Sequence, residues 1–326
     1  FRGKVKCIYI DPPYNTGGDG FAYKDSYPHS SWLACLYDRA ASARALLKPN
    51  GVLFVSNDDG ENWRLRSILD TIFGEEQFVE NLVWKRSYGG GAKEKHVVRQ
   101  HEYVLMYAAS IERLGELSMA PQSDAELKYY RFRDDRFETR GPYRLQPLDA
   151  AKSMDHRENL IYPINTPFGE VTRQWLWKRE RAEKAIQDDS IVFAKNGDRI
   201  SVNYKQYLLD ENGDRRDKKP VSIIDDTYTQ HGTIDLRDMC GDVDFQFPKP
   251  PRLVEQLLLF AAREPTATVL DYFAGSGTTA VATMRANESD GLARRFVLVE
   301  AAEHFDTVLK PRVAKVMHAR EWKDGV

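Results

Sequence analysis

Asp11-Pro12-Pro13-Tyr14 is the stretch whose residue types could do chemistry on a small flat substrate. If that substrate is a planar heterocycle with an exocyclic amine, the Asp11 carboxylate and the Pro12 carbonyl can each accept one amino hydrogen. Two consecutive prolines remove backbone donors and stiffen the chain, so that a carbonyl stays turned inward, and Tyr14 offers a face for stacking. The tetrapeptide follows the apolar run Val5, Cys7, Ile8, Tyr9, Ile10, which reads as a buried parallel strand, and opens into Asn15-Thr16-Gly17-Gly18. In an open α/β sheet, ligands gather at the carboxyl ends of strands, where this loop must sit.

A second group lies near the other end of the chain. Thr268-Val269-Leu270 reads as a buried strand, Asp271-Tyr272-Phe273-Ala274-Gly275-Ser276-Gly277-Thr278-Thr279 as the turn that ends it, and Ala280, Met284 and Arg285 as the following helix. Gly275 and Gly277 allow a tight turn and close approach of backbone to a ligand. Alone, that pair is equally a structural turn. The order of elements sharpens it, because Arg295 to Val299 makes the next strand and finishes on Glu300, where an acid can accept hydrogen bonds from ribose hydroxyls. The expected ligand is an adenosine-containing cofactor. NAD is not favoured, since the third glycine is out of place and there is no diphosphate to cradle.

The elements that must position these groups follow an α/β rhythm at both ends. Ser30-Ser31-Trp32 can cap a helix running to about Leu47, with Leu33, Leu36, Ala40 and Ala43 at helical spacing and Pro49-Asn50-Gly51 as its stop. Val52 to Ser56 reads as a second strand, and Leu65, Ile68, Leu69 and Ile72 as a second helix; two such units in a row predict a doubly wound sheet. Phe78 to Lys85 and Tyr103 to Ala108 read as strands joined by the glycine-rich, basic stretch Ser87 to His96, which suits either a flap over a cleft or a plain surface hairpin. Between Ser110 and Phe245 the rhythm is lost and arginines cluster, which predicts an inserted domain of mixed type. It returns at Phe247-Pro248-Lys249-Pro250-Pro251, with Leu253, Leu257, Leu258 and Ala261 on one side of a helix.

Composition permits this reading without suggesting it. With 326 residues, 42% hydrophobic and 29% charged, the chain can bury a sizeable core. Cys7, Cys35 and Cys240 show neither paired nor metal-ligand spacing, which fits a reducing compartment such as the cytoplasm and no metal site. No apolar run approaches the roughly 20 residues needed to span a bilayer. The formal net charge of −2 requires any nucleic-acid partner to be met by a local basic patch. A chain that begins at Phe1 and enters its first strand by about Val5 reads as a fragment of something longer.

The two groups together resemble the paired signatures of S-adenosylmethionine-dependent amino methyltransferases of DNA in the permuted order called the beta group. Further stretches resemble the modification subunits of type III restriction-modification systems: Asn15-Thr16-Gly17 with Phe21, Tyr23 and Asp25; Ser31-Trp32; Leu47 through Asp59; Ile72-Phe73-Gly74-Glu75; His101-Glu102-Tyr103; Trp175-Leu176-Trp177; and Phe247-Pro248-Lys249-Pro250. The resemblance implies a Rossmann-like α/β methyltransferase sheet in circularly permuted order: a catalytic half over residues 1–109, an inserted mixed α+β target-recognition domain over 110–245, and a cofactor-binding half over 246–326. Family members normally carry a segment upstream of the catalytic strand, including a polar turn near the cofactor.

Carried over, Asp11 and the Pro12 carbonyl would hold the N6 amino group of a flipped adenine, and Tyr14 would stack on it. S-adenosylmethionine would be held by Lys249, Asp271, Phe273, Gly275, Gly277, Thr278, Thr279 and Glu300. Pro13, Asn15, Tyr23, Lys85, Lys93 and Lys95 are the expected substrate contacts. The middle domain would choose the sequence through arginines and lysines that include Arg131, Arg133, Arg136, Arg140, Arg144, Arg173, Lys178, Arg179 and Arg181. Double-stranded DNA is the implied substrate, with a second copy of the chain and a restriction subunit as partners. Cytosine N4 or an RNA amine as acceptor, or a binding module without turnover, remain open alternatives. No cysteine has a setting suited to a nucleophile, which opposes methylation at cytosine C5.

Overall fold

β1 (Val5–Ile10) is the axis of the main sheet in the computed structural model, which describes residues 1–17, 25–89, 95–118, 120, 122, 124–151, 153–319 and 322. All six residues of β1 are buried, and they alternate between two cores: Cys7 and Tyr9 pack with Leu253, Leu257 and Ala282, whereas Ile8 and Ile10 pack with Trp32, Leu36 and Leu69. A strand buried on both faces needs apolar side chains at odd and even positions alike, which is why, Lys6 apart, its sequence runs apolar without alternation.

α1 (His29–Leu46) follows, with Trp32, Leu36, Ala40 and Ala43 as its buried stripe. It starts one residue before the expected Ser30-Ser31 cap: the Pro28 carbonyl takes the N–H groups of Ser31 and Trp32, and no side chain caps the helix. β2 (Leu47–Asn57) begins earlier than expected. Pro49-Asn50-Gly51, read as a helix stop, lies inside the strand where its register against β1 shifts between the Val5 and Cys7 pairs, a place that tolerates a proline. α2 (Asn62–Phe73), β3 (Phe78–Lys85), β4 (His101–Ala108) and the one-turn α3 (Ile111–Leu114) complete the first half.

Residues 122–217 form a compact unit of their own. It holds the one-turn α4 (Asp124–Leu127) and α5 (Phe137–Arg140), then β5 (Tyr143–Pro147), β6 (Ile161–Thr166), β7 (Gly169–Gln174), α6 (Arg179–Gln187), β8 (Ile191–Asn196) and β9 (Arg199–Tyr207). β5, β9 and β8 make one antiparallel sheet and β6 with β7 a hairpin. Its core gathers Leu148, Tyr162, Ile164, Val202 and the fully buried Trp175, whose indole N–H donates to the Tyr162 carbonyl at 2.7 Å.

The chain then returns to the main unit with β10 (Ile223–Ile224), α7 (Thr229–Cys240), α8 (Pro251–Ala261), β11 (Thr268–Asp271), α9 (Thr278–Asp290), β12 (Arg295–Leu298) and α10 (Lys310–His318). The compact inserted unit, 122–217, thus lies within the expected segment 110–245. β10 adds to the main sheet beside β3, and α7 joins α10 through Arg312 to Asp235 at 2.7 Å and Lys315 to the Met239 carbonyl at 2.9 Å. An alternation test on a two-residue strand cannot see this, because the pairing partner lies far back in the sequence.

The seven strands run in the order β10-β3-β4-β2-β1-β11-β12, and of these β4 alone is antiparallel to its neighbours. The doubly wound α/β sheet expected from the sequence is present. β1 and β11 are hydrogen-bonded neighbours, so the loops at their carboxyl ends emerge side by side. Among the described residues no helix is long and apolar enough to cross a membrane, and no cluster of metal-ligating side chains occurs.

Candidate active site

The loop after β1 is pinned from several elements. The Trp32 indole N–H of α1 donates to the Pro13 carbonyl at 2.7 Å, and Asn15, at φ 62°, donates its backbone N–H to Asp25 Oδ1 at 2.7 Å. The Asn15 side chain gives its amide N–H to Glu61 Oε1 at 2.8 Å and accepts the Tyr27 N–H at 2.7 Å. Asn15, expected to touch substrate, is thus spent on fixing the loop.

Asp11 stands at the inner end of this loop. Its Oδ1 is shut off from solvent with no donor aligned on it, and the Lys249 ammonium lies 3.1 Å away. Burial pushes the Asp11 carboxyl above the ordinary aspartate range; the Lys249 charge pulls it back and Glu102 pushes it up again. The Tyr14 hydroxyl donates to Glu102 Oε2 at 3.0 Å, and Lys249 Nζ covers one face of the Tyr14 ring at 4.6 Å from its centre. Among the described residues none donates to the Pro12 carbonyl, so both proposed acceptors of an amine keep capacity.

The turn after β11 closes on itself. Asp271 Oδ1 accepts the Phe273 N–H at 2.9 Å and Oδ2 the Thr279 hydroxyl at 2.5 Å. Burial pushes this carboxyl up to about 7. Gly275 and Gly277 have φ of 52° and 82°, and a Cβ on Gly277 would stand 3.2 Å from Val313 and 3.3 Å from Leu309. Only glycine meets both demands without strain. Thr278 donates its hydroxyl to the Lys249 carbonyl at 3.1 Å.

Glu300 is held in place by N–H groups of Gly275 at 2.8 Å, Ala301 at 2.8 Å and Ala302 at 2.9 Å, with His304 Nε2 3.3 Å away. Each carboxylate oxygen has two lone pairs; Oε1 takes Ala301 and Ala302 and Oε2 takes Gly275, so Glu300 keeps one acceptor position, on Oε2, for a hydroxyl. The Gly275 N–H is spent on Glu300 and the Gly277 N–H on Ala274 at 2.8 Å, which leaves neither free for a phosphate. The remaining acceptor of Glu300 suits a ribose hydroxyl.

Both loops open on one cleft of about 640 Å³, lined by Asp11 and Pro13 from the first, Gly275 and Thr278 from the second, with Lys249 and Glu300. That volume suits a ligand of cofactor size. Phe273, Asp271 and Thr279 also face it, whereas Pro12, Tyr14 and Gly277 do not line it. Lys85 points at the Tyr88 ring, 5.7 Å from its centre, and Lys95 is exposed outside the cleft. Tyr23, Lys93 and Phe21 fall outside the described residues.

Several supports had little sequence signal. Glu61 is buried and accepts from Asn15, His29 and Arg64. Gly232 lets α7 lie against the 248–250 segment, since a Cβ there would overlap the Pro248 carbonyl oxygen; a lone glycine in a helix was the available clue. The fully buried Arg312 braces the glycine turn from behind through the Ser276 hydroxyl at 2.8 Å, and its partner Asp235 is 77 residues away. Arg39 lines the cleft from α1.

In the unit of residues 122–217 the expected DNA-reading cations divide. Arg173 pairs with Asp149 at 2.9 Å, Arg136 with Ser190, Arg140 with the Leu209 carbonyl and Arg144 with Gln206, so these serve the unit's own fold. Arg157, Lys178 and Arg181 line a second cleft of about 390 Å³ beside Trp177, over which Arg181 lies at 4.2 Å. Among the described residues no carboxylate pairs with these three.

A doubly wound sheet with an acidic Pro-Pro-Tyr loop and a glycine turn facing one cleft places the chain in a family, and the sequence comparison agrees: residues 5–310 match the family described as DNA methylase, to which the chain belongs. It is 34% identical to the type III restriction-modification enzyme StyLTI Mod subunit of Salmonella typhimurium over 95% of this chain and 51% of that protein. It is 31% identical to the type II methyltransferase M.KpnI of Klebsiella pneumoniae over 91% of this chain and 75% of that protein. The PvuII DNA methyltransferase (cytosine-N4-specific) matches in fold, with a TM-score of 0.50 and 11% identity over 95% of this chain and 80% of that one. The chain spans about half the length of the Mod subunits it matches.

Proposed function

We propose that this chain transfers a methyl group from S-adenosylmethionine to the N6 amino group of a flipped adenine in duplex DNA, as part of a type III modification subunit. The observation that carries the reading is that Asp11, of the amine-accepting loop, and Glu300, of the cofactor side, line a single cleft. The similarity to Mod subunits supports adenine as the base and a restriction subunit as partner.

S-adenosylmethionine, when bound, supplies a methyl group made electrophilic by its sulfonium. Glu300 would hold the ribose and the turn from Asp271 to Thr279 the rest. Asp11 and the Pro12 carbonyl accept the two amino hydrogens, and drawing them out of the ring plane localises the nitrogen lone pair that is otherwise delocalised into the heterocycle. A base can reach this pocket only by leaving the duplex stack, at a cost of a few kcal/mol. The cleft at Arg157, Lys178, Arg181 and Trp177 offers the cations and the ring with which residues 122–217 would meet the backbone and bases of DNA.

The test is methyl transfer from labelled cofactor to unmethylated genomic DNA and, in parallel, to structured RNA. Transfer to DNA and not RNA is expected; equal transfer to both would reject the substrate class, and cofactor binding without transfer to either would leave a binding module.

A further inference from the structure

Lys249 belongs to both loops at once. Its carbonyl accepts the Thr278 hydroxyl of the glycine turn, while its ammonium lies 3.1 Å from Asp11 Oδ1 and 3.3 Å from Glu102 Oε2. The resemblance implies a cofactor contact for Lys249, and its ammonium also meets carboxylates of the amine-accepting loop and of β4. We propose that Lys249, held by Glu102, is a positioning residue of the amine acceptor: its ammonium, wedged between two carboxylates, keeps Asp11 a pure hydrogen-bond acceptor and aligned with Tyr14. This rests on the methyl-transfer reading above and deepens it.

The physical need is plain. A carboxylate that must take an amino hydrogen has to stay ionised, because its protonated form turns an O–H towards a donor. Asp11 lies where burial opposes ionisation, and Lys249 is the largest influence working the other way. The groups that bear on Asp11 are Tyr9 on its own strand, Tyr14 on its loop, Glu102 of β4, Asp271 of β11 and Lys249. Arg86 reaches the far oxygen of Glu102 at 3.4 Å, so two cations stand among the carboxylates of Asp11 and Glu102.

Remove the ammonium and two carboxylates, both partly withdrawn from solvent, are left close together, which favours proton uptake by one of them. Burial also opposes the charge on Lys249, but the two carboxylates outweigh it and hold its pKa above the ordinary lysine value. Glu102 does double duty, since the Tyr14 hydroxyl ends on the same oxygen as Lys249.

The experiment compares the chain with Lys249→Met, Lys249→Arg and Glu102→Gln variants in single-turnover methyl transfer against pH, with cofactor affinity by calorimetry. Lys249→Met is expected to lose about 100-fold in rate at neutral pH, with its acid limb moved to higher pH and cofactor affinity kept within about threefold, and Lys249→Arg to recover much of the loss. A folded Lys249→Met with the wild-type pH profile overturns the proposal. So does a fall in cofactor affinity that matches the fall in rate, which would make Lys249 a cofactor contact, or faster turnover than wild type, which would make its ammonium a mere placeholder for the amine. If the unaltered chain transfers no methyl group at all, the functional reading fails separately. The inference is then read from ¹³C-carboxyl NMR, where the Asp11 resonance, identified by its loss in Asp11→Asn, must titrate at higher pH in Lys249→Met; an unmoved resonance overturns it.

Discussion

The turn after β11 is closed largely by residues within it, Asp271 to Phe273 and Thr279, and Gly277 to Ala274, while Arg312, Glu300 and Lys249 reach it from outside. The loop after β1 hangs instead on side chains from elsewhere: Trp32 of α1, Glu61 just ahead of α2, Glu102 of β4 and Lys249 ahead of α8. The difference teaches where each loop is vulnerable. A turn closed largely by itself fails chiefly through its own residues, whereas a loop suspended mostly from distant groups can fail through a residue that never meets a ligand.

Asp11→Ala should give the largest effect, a fall in single-turnover rate of about a thousandfold with cofactor affinity nearly intact, because Asp11 is proposed to meet the amine and not the cofactor. Wild-type rates in a folded variant would deny Asp11 its role and with it the contrast between the loops. Glu300→Ala is the mirror image. It removes the acceptor of three backbone N–H groups and the proposed ribose contact, and calorimetry should show affinity reduced by about tenfold or more. Unchanged affinity would place the cofactor elsewhere.

Tyr14 separates stacking from scaffolding. Tyr14→Ala should cost about 1–3 kcal/mol in transition-state binding and Tyr14→Phe, which keeps the ring but frees Glu102, less than half as much. Equal losses would show the hydroxyl, through its 3.0 Å bond to Glu102, to be the working part.

Both loops were legible in the sequence as motifs, because an acid followed by two prolines after an apolar run, and a glycine pair between strand and helix, are local patterns. Their supports were not. Glu61, Glu102 and Arg312 are ordinary charged residues whose roles exist only once the sheet brings them together, and β10 is a two-residue strand with no period to read. Lys249 was found by its proline neighbours, but the direction of its ammonium depends on β1 and β4. The middle cations were legible as a group and not one by one, since only packing shows that Arg173 is spent on Asp149 while Arg181 borders a cleft.

A subtler separation of the loops comes from stability. Gly277→Ala should destabilise by about 1–3 kcal/mol and weaken cofactor binding, because φ is 82° and the new methyl crowds Leu309 and Val313. Glu61→Ala should destabilise by a similar amount, about 1–3 kcal/mol, by orphaning the Asn15 amide, yet lower the transfer rate and spare the cofactor. Denaturant titration with calorimetry would tell them apart, and a common phenotype would erase the distinction.

A further separation is read in pH. Asp271 is raised from 3.8 to about 7 on folding, so the folded chain binds this proton more tightly than the unfolded one. Its contribution to stability is greatest below the unfolded value and is lost as pH rises from about 4 to about 7. Asp271→Asn should flatten that part of the stability curve, measured as the denaturant midpoint against pH; an unchanged slope would show Asp271 to be ionised throughout.

The most direct test of the central claim, that the two loops form one site for methylating an exocyclic amine, is mass spectrometry of nucleosides from unmethylated DNA incubated with the chain and S-adenosylmethionine, with the modified positions sequenced. N6-methyladenine at one recurrent sequence, lost in Asp11→Ala, is the predicted result. N4-methylcytosine would overturn the assigned base, and 5-methylcytosine, or N6-methyladenine that persists in Asp11→Ala, would contradict the account itself.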